Sequence, residues 1–156
     1  MNNIETLFLD IEEGNDQKVY KILEELGIDA RDSYLRTPLI NATFYGKIGL
    51  MRWLIEKGAD VDAQDKNGYT ALHFAAQEVK PDCIQILLDH NANPNIKDVH
   101  GNTPAWVAVM NWKAGKNFDS LFKLVQANAD LKIRNNANRN AYDIIPDSIK
   151  QKLGVK

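Results

Sequence analysis

Residues 58–73 read GADVDAQDKNGYTALH and residues 91–106 read NANPNIKDVHGNTPAW; laid one over the other, the two blocks correspond along their whole length at an offset of 33 residues. The same offset joins TPLI at Thr37, TALH at Thr70 and TPAW at Thr103. Asp32, Asp65 and Asp98 keep pace, each five residues before its threonine. Self-similarity at a fixed step of this length marks a chain built by stacking one supersecondary unit, so it outranks any local propensity.

A fourth register follows in NADLKIRNNANRNAYD, where Asn128 stands in the slot of Gly58 and Asn91, Asn138 in that of Gly68 and Gly101, and Asn140 in that of the threonines. Asn best replaces Gly where φ must be positive, so these exchanges keep a left-handed backbone position while the letter changes. Within one unit the pattern predicts a helix, a turn, a second helix and an extended finger. TALHFAAQE starts at Thr70 as an N-cap and carries small apolar residues that suit a short helix packed on both sides. PDCIQILLDHN places Pro81 and Asp82 at the start of the second helix, with apolar Cys83, Ile84, Ile86, Leu87 and Leu88 inside it and Asn91 as a left-handed cap. The Asn-rich segment from Ala92 to Asn102 turns toward the next unit. Each unit leaves apolar faces that only a neighbour can cover, so stacking is obligatory.

These residues together resemble the ankyrin repeat, and the resemblance covers nearly the whole chain. It implies an all-α solenoid of helix-turn-helix units joined by β-turn fingers, capped at both ends and forming a single domain over 1–156. The expected units are an N-terminal cap repeat at 1–31, internal repeats at 32–64, 65–97 and 98–134, and a C-terminal cap repeat at 135–156. Ankyrin proteins commonly bind other proteins and rarely catalyse a reaction.

The ends read as polar caps, so the chain is expected to be a complete solenoid. IETLFLDIEEGNDQKVYKILEELG splits at Gly14 and Asn15, with Glu5, Asp10, Glu12, Asp16, Lys18 and Lys21 available for the outward face. Leu35 stands in the glycine slot of the first finger after a shortened link, which predicts a misshapen finger there. AYDIIPDSIKQKLG predicts a helix stopped by Pro146 and a short polar helix capped by Asp147 or Ser148. NWKAGKNF, residues 111–118, breaks the period by four residues, most simply Lys113 to Lys116. Phe122 then falls on a slot held by Arg52 and Gln85, so either the second helix is rotated or this ring is exposed.

The bulk numbers exclude several classes. Nineteen basic against 21 acidic residues leave a net charge of -2, which gives no global attraction to nucleic acid or to anionic lipid. No leader of the secretory type and no span-length apolar stretch is present, and the lone Cys83 fits a reducing cytosol. A cytoplasmic protein without membrane contact is the expectation. There is no glycine pattern for phosphates, no nucleophile elbow and no Cys/His spacing for a metal, so no enzymatic activity, cofactor or metal is expected. Cys83 occupies the slot of Leu50 and reads as a small buried hydrophobe. His73 is the motif histidine, which in the resembled family hydrogen-bonds across the turn; Trp106 replaces it in the next unit and is expected to fill the space by packing.

The binding surface is located by the same resemblance, because in ankyrin solenoids the finger tips and the exposed ends of the first helices form a concave face. The fingers offer Tyr34 and Arg36, then Lys66, Asn67 and Tyr69, then Val99, His100 and Asn102, then Asn136 and Arg139. The helix ends add Phe44, Tyr45, Gln77, Glu78, Met110 and Asn111, and the four-residue break adds Trp112, Lys113 and Lys116. Aromatic and Arg side chains are the types that dominate binding hot spots. The expected function is a non-enzymatic stoichiometric binder or inhibitor of one protein, monomeric on its own. Alternatives are a bacterial immunity protein neutralising a cognate toxin and, less favoured, a nucleic-acid-binding protein through Arg36, Lys66, Lys113, Lys116 and Arg139.

Overall fold

A computed structural model describes residues 4–155 of the chain, with the side chains of Glu5 and Lys113 outside the described set. Five helix pairs follow one another: α1 (Ile4–Glu13) and α2 (Asp16–Leu26), α3 (Pro38–Tyr45) and α4 (Ile48–Glu56), α5 (Ala71–Gln77) and α6 (Pro81–Asp89), α7 (Pro104–Met110) and α8 (Phe118–Gln126), and α9 (Ala141–Ile144) and α10 (Asp147–Leu153). No strand occurs among the described residues. The first helices pack in chain order, α1 on α3, α3 on α5, α5 on α7 and α7 on α9, while α6 packs on α8 in the second layer. This is the all-α solenoid that the repeat predicts.

Side-chain caps mark the starts of the first helices α3, α7 and α9. Thr37 accepts from the Ile40 N–H at 3.3 Å and Thr103 from the Trp106 N–H at 3.4 Å. Asn140 takes the same role at 2.8 Å from Asp143. Such caps satisfy donors that have no partner inside the helix. Packing then follows the period. Ala42, Ala75 and Ala108 are each 0% exposed, small enough for the first helices to lie close together, and Leu54, Leu87 and Leu124 fill the layer behind them, also at 0%. A fully buried leucine contributes about 1.5–3 kcal/mol by leaving water.

Between pairs, each finger turns around one carboxylate or amide, buried in the first three fingers and half-buried in the fourth. Asp65 accepts the N–H groups of Asn67 and Tyr69 at 2.8 and 2.9 Å, and Asp98 those of His100 and Asn102 at 2.8 Å each. Asp32 does the same for Tyr34 and Arg36, at 2.9 and 2.7 Å, so the first finger has the regular turn and is not misshapen. Leu35 reaches it by adopting φ 59, the left-handed conformation that Gly68 and Gly101 hold at φ 77. Asn135 supplies the amide version in the fourth finger, to Ala137 and Arg139.

Rows of hydrogen bonds tie finger to finger. The N–H groups of Lys66, Val99 and Asn136 donate to the carbonyls of Tyr34, Asn67 and His100. A second row runs through side chains: Arg31 donates to the Gln64 carbonyl, Gln64 to that of Lys97, and Lys97 to that of Arg134. A third joins Asp29 to the Asp60 N–H, Asp62 to that of Asn93, and Asn95 to that of Asp130.

Ile48, Pro81 and Phe118 open the second helices of three successive pairs, steps of 33 and 37 residues. The extra length lies between α7 and α8, where a 3-10 turn at Lys113–Gly115 carries Ala114 at φ 56. Asn117 anchors its end. Fully buried, it donates to the carbonyls of Ala76, Ala108 and Asn111 at 2.8, 2.9 and 3.3 Å. The helix that follows is not rotated: Leu121 and Leu124 are buried where Ile84 and Leu87 are buried in the preceding pair, so Phe122 points outward at 39% exposure. It stacks on Phe118 with centroids 6.1 Å apart.

Two expectations at the ends fail. Asp10 is not on the outward face; it is 3% exposed, with one oxygen accepting from Lys18 at 2.7 Å and Asn15 at 3.3 Å. It closes the bend between α1 and α2 because Gly14 and Asn15 bring Lys18 back over it. Neither Asp147 nor Ser148 caps α10, since Pro146 holds the cap position and Asp147 is already helical, bonded to Lys150 at 3.0 Å.

Candidate functional site

The finger tips and the ends of the first helices share one face, and its side chains rest on the Asp-centred turns. Tyr34 is 48% exposed, with Arg36 at 5.0 Å and Lys66 at 3.8 Å from its ring centroid. Arg36 also lies 5.1 Å from the Phe8 ring and is held by the buried Asp32 carboxylate at 3.0 Å. At the far end Arg139 lies 5.1 Å over Trp106, which is half-buried under it. A cation over an aromatic face gains roughly 0.5–1 kcal/mol at such exposed positions. Phe8 and Trp106 were the members of this surface that residue type and register did not single out as contacts.

The remaining predicted residues divide by freedom. Lys66, Asn67, Val99, His100, Asn136, Lys116 and Arg139 are exposed, and so is Met110 at 54%. Phe44, Tyr45 and Tyr69 are half-buried in one aromatic cluster: Phe44 meets Tyr45 edge-on at 5.0 Å and Phe74 at 5.9 Å, and Tyr69 meets Phe74 at 5.3 Å. Tyr45 donates to Glu12 at 3.1 Å. Burial first, then that carboxylate, raises the Tyr45 phenol pKa, and burial raises that of Tyr69. Asn102 is engaged at both ends, donating to Asp98 and accepting from Asn135. Gln77 donates to Glu78 at 2.9 Å, and Asn111 to the Val107 carbonyl at 3.0 Å. Trp112 is half-buried, edge-on to Phe118 at 6.5 Å. The Lys113 side chain falls outside the described residues.

One cavity borders this face and another lies on the opposite layer. The first, of about 290 Å³, is apolar, lined by Val109, Trp112, Ile144, Ile145 and Pro146. A broader groove of about 550 Å³ lies on the second-helix layer between α6 and α8, beside Phe122 and Lys123. Neither gathers a nucleophile with a base, and the described residues hold no cluster of three His, Cys, Asp or Glu fit for a metal ion. No helix among them is long and apolar enough to cross a membrane.

His73 is a structural pin. Its Nδ1 accepts from the Thr70 N–H at 3.1 Å and lies 2.9 Å from the Thr70 hydroxyl, while Nε2 lies 3.1 Å from the Asn102 carbonyl in the next finger. This set needs the neutral ring with its proton on Nε2, and burial lowers the imidazole pKa accordingly. Cys83 is 2% exposed, and burial pushes its thiol up to about 11.

The motif residues and their turns thus occupy the same places in successive units. A family model described as ankyrin repeats in three copies matches residues 49–135, more than half of the 156, and a single-repeat model matches 34–63. The chain belongs to the ankyrin-repeat family. Among similar proteins, E3 ubiquitin-protein ligase KEG of Arabidopsis thaliana is 33% identical over 102 residues, 65% of this chain but 6% of that protein. Putative ankyrin repeat protein FPV031 of Fowlpox virus (strain NVSL) is 34% identical over 105 residues, 67% of this chain and 30% of that one. Regulatory protein NPR6 of Arabidopsis thaliana is 47% identical over 57 residues, 35% and 12%. The chain therefore spans less than a third of each of these relatives. Ankyrin repeats are a protein–protein interaction module, generally without catalysis of their own.

Proposed function

We propose that this ankyrin solenoid binds one protein partner stoichiometrically through its finger and first-helix face, and that it inhibits by covering the surface it occupies. The observation that carries this reading is the finger face itself: Tyr34, Arg36, Lys66 and Arg139 stand on turns whose backbone donors are already satisfied by the side chains of Asp32, Asp65 and Asn135. Side chains fixed on rigid turns lose little conformational freedom on binding, which favours affinity. The chemistry of a site with no convergent catalytic groups is that of recognition. Relatives with names as different as a ligase and a regulatory protein share this repeat, which is what a portable recognition surface predicts.

The test is capture from native lysate with the chain immobilised, followed by titration calorimetry of the retained protein. A one-to-one complex is expected. Replacing Tyr34, Tyr45 and Tyr69 together with Ala should weaken it by about 2 kcal/mol or more, while Phe122→Ala, on the opposite layer, leaves it unchanged. The reverse pattern would move the interface to the groove between α6 and α8 and overturn this reading.

A further inference from the structure

The four finger tips, residues 32–36, 65–69, 98–102 and 135–139, contain three carboxylates, and all three are hidden. Asp32, Asp65 and Asp98 are 4%, 7% and 6% exposed and spend their oxygens on the turns described above. The charged side chains that the tips leave exposed are therefore both positive, Lys66 and Arg139, while Arg36 is half-buried and already paired with Asp32. Neither Lys66 nor Arg139 has a carboxylate within ion-pair reach among the described residues; each lies over an aromatic ring instead. This occurs in a chain whose formal net charge is -2. Tip carboxylates spent inside the turns leave Lys66 and Arg139 with rings in place of carboxylate partners on the edge.

Resting on the finger-face reading, we propose that the finger edge docks an acidic protein segment, its carboxylates meeting Lys66 and Arg139 and its apolar side chains meeting Tyr34 and Tyr69. Charge complementarity of this kind sets partner choice and register. A polypeptide suits the edge better than a nucleic acid. Two unpaired cations standing on separate fingers, with Glu12 and Glu78 at the adjoining helix ends, do not form the continuous basic stripe that a phosphate backbone needs.

The experiment is an amide-NMR titration of the full chain with synthetic peptides of one length, in which Leu and Tyr alternate with Glu, Gln or Lys, and with single-stranded DNA of the same charge as the Glu peptide. The Glu peptide should shift the amides of Tyr34, Lys66, His100 and Arg139, bind about tenfold tighter than the Gln peptide and weaken with added salt. Lys66→Glu with Arg139→Glu should abolish that preference and transfer it to the Lys peptide. Equal binding of Glu and Gln peptides at the fingers would overturn the acidic partner and leave the finger-face reading standing. Shifts confined to the α6–α8 groove, or to no site at all with any peptide, would overturn both. Tighter binding of the DNA would replace the protein segment with a nucleic acid.

Discussion

Val79 sits at φ 55 in the turn between α5 and α6, the position that Gly14 and Gly46 occupy at φ 80 and 70 in the preceding pairs. A β-branched side chain in the left-handed region is strained, by about 1–2 kcal/mol for an L-residue. Glycine there also loses more backbone entropy on folding, so Val79→Gly is expected to raise stability by about 0.5–1 kcal/mol net. Leu35→Asn should act in the same direction, because this chain already holds Asn91, Asn128 and Asn138 at positive φ. The check is the midpoint of urea unfolding at unchanged slope; a lower midpoint in both would refute the strain. His73 makes stability depend on acid. Its folded pKa is lowered, so between that value and about pH 6.5 the unfolded chain binds a proton that the folded chain resists. Stability is full above about pH 6.5 and falls as the pH drops below it. Urea titrations at pH 7.5 and about 5.5 should show that loss, and His73→Gln should reduce the difference. Cys83, with its thiol near 11, is expected to resist a thiol reagent at neutral pH until the chain is unfolded.

At the scale of the element, each finger depends on one acceptor. Asp98→Ala would leave the buried-side N–H groups of His100 and Asn102 without their partner and should cost about 2–3 kcal/mol. Asp98→Asn should cost less than about 1 kcal/mol, because Asn135 already performs the task in the fourth finger. Thermal unfolding of the pair decides between a hydrogen-bond role and a charge role, and equal losses would favour charge. The helix pairs and finger positions were legible in the sequence because a repeated unit states its pattern several times over. Single departures are spelled once, and some of them have outcomes that residue type alone does not reveal. Leu35 looked incompatible with a glycine slot, yet one strained backbone angle is cheaper than rebuilding a turn that two Asp32 hydrogen bonds hold. Asp10 looked like surface charge, and only the fold shows Lys18 and Asn15 closing over it. Phe8 and Trp106 became cation platforms through contacts between neighbouring units, which no local pattern encodes.

Across the whole molecule, the three rows of finger hydrogen bonds show what the four-residue break does to register. Lys97 reaches the Arg134 carbonyl over 37 positions where Gln64 reaches that of Lys97 over 33, and both bonds form. Added length between α7 and α8 is thus absorbed before the next finger begins. Deleting residues 113–116 should therefore leave the helical circular dichroism spectrum unchanged and shift the melting temperature by only a few degrees, corresponding to about 1 kcal/mol or less. Unfolding on deletion would mean that the loop is part of the core. That tolerance makes the loop a natural insertion point for engineering. A short peptide tag or fluorophore-bearing segment placed after Lys113 would sit beside Trp112 and the α7 end of the finger face, where it could report on occupancy without disturbing the stack.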